Sequence, residues 1–376
     1  MNSSRPTLYD VARLAEVSTA TVSFTFSKPD RVKPATRDLV LKIAGEIGYV
    51  PRASARDLAR GKTGALGLYS FDLFLETQTD ISIRNSISAS GHTEHFVDSN
   101  MTKCMEEEIS YPKQFPLYVD EIQRGFEIEC RKQGLALILS SSGNPKVDLR
   151  DFASRVDGLA VFPGNIDLAT LSVIAKRIPV VLLSRFDAGF EWDRIVADNA
   201  GGMKILVDHL TDVHNITSFG FIGDTDFPEY AERFTALKNC VETHAHSAVE
   251  LVDSYDPNKN SEFSGLENLI KTGSLPESLV CGSDQIAFHV LDFLKDKGIH
   301  VPGDVIVTGF DGILAGRLSS PKLTTVRQPM EAMGILAVRL LVEHSKAKET
   351  PFSVYRMATQ LITGESCGCN VPNSQK

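Results

Sequence analysis

The 376-residue chain contains no run of 18 apolar residues, so no membrane-spanning helix is expected. Its opening residues, MNSSRPTLYD, lack the apolar stretch of a signal peptide, which points to the cytoplasm. The six cysteines (Cys104, Cys130, Cys240, Cys281, Cys367 and Cys369) are too few and too irregular for a disulfide framework, and a cytosolic chain keeps them reduced. No Walker A, HExxH or GxSxG pattern occurs, and Gly223-Asp-Thr and Gly164-Asn are too weak to be phosphate loops. His92, His95 and Cys104 share a segment with Glu106, Glu107 and Glu108, but their spacing is irregular for a metal site. Cys367-Gly-Cys369 has the chemistry to bind a metal or sense an oxidant, yet reads more simply as part of a solvated tail. The sequence thus offers no catalytic constellation, and an enzyme, a cofactor and a bound metal are all unexpected.

What the chain does have is a segregation of charge. Residues 1–62 carry eleven Lys/Arg against six Asp/Glu, a net +5, whereas the remainder is net −14 within a total of −9. A basic head on an acidic body suggests that the head meets a polyanion. The length suits two or three domains, and 42% hydrophobic residues suffice for a sizeable core.

The head predicts three short helices. Thr7 is placed to cap the first, with Asp10 answering in a capping box, and Leu8, Val11, Ala12 and Ala15 form its apolar stripe. Ser18 caps a second helix, in which Val22 is the buried contact. Pro34 suits the first turn of a third, where Leu39, Val40, Ile43 and Ile47 recur at helical spacing before Gly48 ends it. Two helices joined by a tight turn and supported by a third make a helix-turn-helix unit. Its second helix would offer Thr19, Ala20, Thr21, Ser23 and Phe24 to a major groove. After Tyr49-Val50-Pro51, the segment RASARDLARGKTG has helical periodicity, with Arg52, Arg56 and Arg60 beside Ala55 and one protruding Leu58. It is too short to be helical alone, but could fold in a minor groove and wedge Leu58 between base steps.

These residues resemble the lactose-repressor family of bacterial transcription regulators. TLYDVA, VSTATVS and ARDLARGKTG fall in register from Thr7 to Gly61. The resemblance continues through DGLAVFP (Asp157–Pro163), IPVVLLSR (Ile178–Arg185), VADNAGG (Val196–Gly202), ERF (Glu232–Phe234), CGSDQIAF (Cys281–Phe288), VPGDVIVTGFDG (Val301–Gly312) and LTTVRQPMEAMG (Leu323–Gly334). Three departures unsettle the choice of DNA site. Phe24 stands where the family usually has an arginine, the hinge starts Pro51-Arg52, and Lys33 replaces a serine cap. Phe24 can offer only apolar contact, to a thymine methyl or to a neighbouring head or hinge.

Beyond Gly64, apolar runs alternate with amphipathic helices. Strands are expected at 65–70, 135–140, 158–162, 179–183, 217–222, 279–282 and 305–309. Helices are expected at 117–133, 167–177, 199–211, 228–243, 260–271, 284–297 and 329–345. This alternation predicts an α/β fold of doubly wound parallel sheets, with ligands outside the carboxyl ends of the strands. The resemblance implies a periplasmic-binding-protein-like core of two lobes. Its divisions would be a helix-turn-helix domain over 1–50, a hinge over 51–63, and a core over 64–366. Lobe 1 would take about 64–197 and 326–350, lobe 2 about 198–325 and 351–366, leaving a flexible tail over 367–376. By the same resemblance Phe71, Asp72, Phe115, Ser184, Arg185, Arg233, Tyr255, Ser283 and Asp311 are effector contacts, while Asp284 reads as a helix cap. The stretch from Phe71 to Pro116 is far longer than the family's usual connection, and reads as a lid or a disordered excursion.

The implied function is a ligand-responsive repressor of carbohydrate-related genes in a bacterial cytoplasm, at the nucleoid. It would bind double-stranded, pseudo-palindromic operator DNA as a homodimer, with no membrane partner. Thr7, Tyr9, Ser18, Ser23, Thr36 and nearby Lys/Arg would touch phosphates, and Tyr49, Arg52, Ala55 and Arg56 would add DNA contacts where the head meets the hinge. The effector is sugar-like, with a nucleoside or purine as the alternative. A solute-binding protein or an enzyme on the same core is the rival from another class.

Overall fold

The computed structural model describes residues 6–49, 62–70, 79–87, 93–101, 117–141, 149–162, 168–184, 192–244, 248–255, 262–346 and 351–369. They divide into two units, 1–64 and 65–376.

The first unit is built from α1 (Leu8–Leu14), α2 (Thr19–Ser27) and α3 (Pro34–Glu46). The Thr7 backbone N–H donates to Asp10 at 2.9 Å, and the Asp10 N–H donates back to the Thr7 hydroxyl at 3.4 Å. The orphan amides of the first turn are thereby satisfied. Ser18 accepts from the Thr21 amide at 3.1 Å to start α2. Pro34 opens α3, and Gly48, at φ 69°, lets Tyr49 N–H reach the Ala44 carbonyl at 2.8 Å, a Schellman stop. Val11, Ala12, Ala15, Val22, Val40 and Ala44 make the small core. Leu39, expected on the apolar stripe of α3, is instead 45% exposed, because Val40 and Ala44 set the inward face.

The second unit holds two six-stranded sheets. The first combines β1 (Ala65–Ser70), β4 (Ala136–Ser141), β5 (Leu159–Val161), β6 (Val180–Leu183), β7 (Asp193–Ala197) and β13 (Val354–Met357), in the order β13-β7-β6-β5-β1-β4. The second combines β8 (Phe219–Ile222), β9 (Val249–Asp253), β10 (Ser278–Cys281), β11 (Ile306–Asp311), β12 (Thr324–Arg327) and β14 (Gln360–Ile362), in the order β14-β12-β11-β10-β8-β9. All pairings within them are parallel except β12 with β14. β5, β6, β8 and β10 are buried throughout, as strands covered on both faces must be.

Around the first sheet lie α4 (Leu117–Gln133), α5 (Leu149–Ala153), α6 (Leu168–Ala175) and α12 (Met330–His344). Around the second lie α7 (Asn199–His214), α8 (Pro228–His244), α9 (Ser264–Thr272), α10 (Asp284–Asp296) and α11 (Leu314–Leu318). Each sheet therefore has an apolar cluster on both faces. Phe126, Ile122 and Met333 lie on one side of the first sheet, and Phe152, Leu171 and Trp192 on the other. Leu206, Leu237 and Phe221 line one side of the second, and Leu266, Ile286 and Leu294 the other. Helices α4 and α12 touch backbone to backbone. A Cβ on Gly125 would sit 2.0 Å from the Glu331 carbonyl oxygen, and one on Gly334 would sit 2.1 Å from that of Ile122.

Four expectations need correcting. The chain crosses between lobes near 198 and 328, but for the third time between Met357 and Gln360 rather than near 350, since β13 pairs with β7. The stretch 72–115 carries an antiparallel pair, β2 (Thr79–Ile87) with β3 (Thr93–Met101), in place of an unstructured loop. Five strands of the two six-stranded sheets escaped the sequence reading: β7, β9, β12, β13 and β14. Cys367 and Cys369 do not begin a solvated tail, because a 3-10 turn over Glu365–Cys367 packs Cys367 to 1% exposure.

Candidate functional site

The α2 face of the head is turned outward where the sequence predicted. Thr19, Ala20 and Phe24 (41% exposed) face solvent, whereas Val22 and Thr25 turn in. Tyr9 is 75% exposed at the start of α1, Ser23 and Thr36 are half-buried, and Tyr49 packs on Phe26 with ring centres 5.9 Å apart. The hydroxyls of Thr7 and Ser18 act as helix caps, and Thr21 shares a 2.9 Å hydrogen bond with Ser18. Arg52, Ala55, Arg56 and Leu58 lie outside the described residues, as do Phe71, Asp72, Phe115 and Arg185.

In the core, the carboxyl ends of β6 and β7 in one lobe and β10, β11 and β12 in the other converge on one cleft. Arg233, in the second turn of α8, is 4% exposed. Its Nε donates to Asn199 Oδ1 at 2.9 Å and its Nη1 to the Gly282 carbonyl at 2.5 Å. Its guanidinium lies 3.7 Å from the Phe310 ring centre, and Nη1 is 3.8 Å from Asp311 Oδ1. Asp311 also accepts from the Gln328 side-chain amide at 2.6 Å. Behind it, the fully buried Asp284 accepts from Ile313 N–H at 2.8 Å and from the Thr325 hydroxyl at 2.5 Å.

Two acids thus share a desolvated site with one guanidinium. Burial pushes both carboxyls above the ordinary aspartate range. For Asp284 the charge of Asp311 adds to the rise, whereas for Asp311 the Arg233 charge opposes it. Burial also pushes the Tyr230 phenol, which hydrogen-bonds Ser283, up to about 12. The backbone is strained here as well. Only four described non-glycine residues have positive φ, and two of them, Ser184 (56°) and Asp311 (128°), belong to this cleft.

Ser184, Val196 and Ala197 from the first lobe, with Asn199, Glu232, Arg233 and Gln328, line a cavity of about 20 Å³, room for about one water. Two ion pairs bridge the lobes beside it. Arg327 reaches Glu121 with both terminal nitrogens, one at 3.0 Å, and Arg356 meets Glu232 at 3.0 Å. The site can hold polar, hydrogen-bonding matter between lobes that are themselves clasped together.

Of the sequence-predicted residues, the fold brings Arg233, Asp311, Ser184 and Ser283 to this cleft. Ser283 caps α10, accepting from Ile286 N–H at 3.3 Å. Asp284 is therefore not a cap but the innermost acid of the cluster. Tyr255 is placed in an apolar cluster, stacked on Phe263 at 4.1 Å with its hydroxyl 2.7 Å from His289. The sequence reading missed Asn199, Glu232 and Gln328 as site residues. Their signal was position alone, since each lies just beyond a strand or at the start of a helix, within motifs already singled out for other reasons.

Residues 7–52 match the profile of bacterial regulatory proteins of the lacI family, and residues 207–367 that of periplasmic binding protein-like domains. The HTH-type transcriptional repressor PurR of Vibrio atlanticus is 26% identical over 364 residues, 95% of this chain and 97% of that protein. The structure of the Lac repressor dimer bound to operator and the anti-inducer ONPF has a TM-score of 0.72 at 18% identity, over 97% of this chain and 99% of that one. The transcriptional regulator CelR-cellobiose complex has a TM-score of 0.59 at 22% identity, over 96% and 100%. The helix-turn-helix head followed by a two-sheet parallel α/β core is the fold these proteins share.

Proposed function

Because the chain belongs to the lacI family of bacterial regulatory proteins, we propose that it represses transcription under the control of a small hydroxylated molecule, a sugar or sugar derivative, held between the lobes of its core. The observation that carries this reading is the Arg233–Asp311–Asp284 cluster. Strongly polar groups are buried at the carboxyl ends of parallel strands, on strained backbone, and facing a second lobe. Carboxylates and a guanidinium placed so match vicinal hydroxyls, which both accept and donate. A nucleoside is the second reading, since its ribose hydroxyls and ring N–H donors satisfy the same acceptors.

The exposed face of α2 would enter the major groove, and two copies related by two-fold symmetry would span a pseudo-palindromic operator. The cavity between the lobes takes about one water, so a sugar-sized ligand enters as the lobes part. Parting them strains or breaks the Arg327–Glu121 and Arg356–Glu232 pairs. The ligand therefore has different affinity for the open and closed cores, which is the requirement for it to shift DNA affinity.

The test is a thermal-shift screen of the full chain against sugars, sugar phosphates and nucleosides, repeated on Asp311→Ala. A compound that stabilises wild type but not Asp311→Ala, while both bind operator DNA with equal salt dependence, supports the reading. A compound that shifts both proteins equally would place the ligand elsewhere.

A further inference from the structure

Away from the cleft, four metal-ligating side chains converge among the described residues. His209 and His214 come from the last turns of α7, and Cys367 and Cys369 from the segment after β14. We propose that they form a closed tetrahedral site for a zinc-type divalent cation, which pins the segment after β14 to α7.

Four of the six distances between ligand atoms are close to those an ion would impose. With bonds of about 2.0–2.1 Å to nitrogen and about 2.3 Å to sulfur, a tetrahedron has a nitrogen–nitrogen edge of about 3.3 Å and nitrogen–sulfur edges of about 3.6 Å. The two Nε2 atoms are 3.3 Å apart. Cys367 Sγ is 3.7 Å and Cys369 Sγ 3.6 Å from His209 Nε2, and Cys369 Sγ is 3.3 Å from His214 Nε2. All four ligand atoms lie within 4.8 Å of one another. Two thiols and two imidazoles are the donor set that selects zinc, and four protein ligands leave no position open for substrate, so the site is structural.

Both halves are held in place independently of any ion. The histidines sit five residues apart on one helix, within the spacing common in structural zinc sites. The cysteines flank Gly368, whose φ of 94° turns the chain so that both sulfurs face α7. Just before them, the buried Ser366 donates to the Val307 carbonyl at 2.6 Å and accepts from Thr324 N–H at 2.9 Å, fixing this segment to the sheet. The site is separate from the effector cleft. His209 and His214 lie roughly 15–22 Å along α7 from Asn199, given a rise of about 1.5 Å per residue.

The experiment is elemental analysis of the full chain, purified under reducing conditions in zinc-containing medium and freed of loose metal, followed by reconstitution with cobalt(II). About one zinc ion per chain is expected, with a thiolate-to-cobalt charge-transfer band and the intense visible bands of tetrahedral cobalt. Cys369→Ser and His214→Gln should each weaken metal retention by at least the roughly tenfold to hundredfold that loss of a supporting partner costs. Wild-type chain that gives no cobalt–thiolate band overturns the proposal whether or not the variants fold. Variants that keep wild-type zinc also overturn it, because the metal then lies elsewhere.

Discussion

Replacing Arg233 with methionine isolates the central interaction of the cleft. Methionine keeps most of the side-chain volume over Phe310 and removes the charge. At 3.8 Å the Arg233–Asp311 attraction amounts to about 4 kcal/mol at an effective dielectric of about 20. The hydrogen bonds to Gly282 and Asn199 each add roughly 1.5–3 kcal/mol, as bonds from a charged donor do. Removing the guanidinium recovers its own desolvation, so the net loss falls in the range of about 3–5 kcal/mol seen when one partner of a buried pair is removed. The loss also depends on pH, in a direction fixed by linkage. Burial raises Asp311 and Arg233 opposes that rise, so without Arg233 the folded-state pKa climbs further. A group raised in the folded state contributes its stability below its unfolded pKa and loses it as pH rises through the folded value. Arg233→Met should therefore be most destabilised near about pH 8 and recover toward about pH 5. Urea midpoints at both pH values measure this, and adding Asp311→Asn should restore about half the loss. A loss below about 1 kcal/mol, or one identical at both pH values, refutes the reasoning.

Three further outcomes follow from other contacts. Asp284→Asn mimics the protonated acid, so it should raise the melting temperature above neutral pH and do nothing near about pH 4; a variant less stable than wild type near about pH 8 would show that the charged form is the one held. Gly334→Ala places a methyl against the Ile122 carbonyl and should cost about 1–3 kcal/mol as α4 and α12 are forced apart, whereas Gly134→Ala, with open space around its Cβ, pays only for its positive φ; equal melting temperatures for Gly334→Ala and wild type would contradict the close helix contact. Thr7→Ala removes a capping box and should destabilise the head by about 1 kcal/mol, read as weaker operator binding with the core transition unchanged.

The sequence made the head legible to the level of single hydrogen bonds, because capping boxes and glycine stops are local, and Thr7, Asp10, Ser18 and Gly48 need no distant partner. The central strands of the core were legible for a different reason, since strands buried on both faces read as unbroken apolar runs. The edge strands β13 and β14 were not, because half-exposed VYRM and QLI carry no such run and owe their conformation to β7 and β12. In the cleft, Asp311 and Arg233 were singled out through resemblance, and Asp284 was misread as a helix cap. A neighbouring serine that takes the capping role is visible only when the geometry is known. The Cys367-Gly-Cys369 pair was noticed but set aside, because its partners His209 and His214 lie some 155 residues earlier and no local spacing connects them.

The late pairing of β13 and β14 also sets an order of events during synthesis. The three helices of the head close on one another within the first fifty residues, while each sheet of the core must wait for a strand from residues 354–362. At roughly 5–20 residues per second, about 15–60 s separate the two moments on the ribosome. During that interval the nascent protein owns a finished DNA-reading module tethered to two open-edged sheets, with the means of recognition made and the means of restraint still being translated.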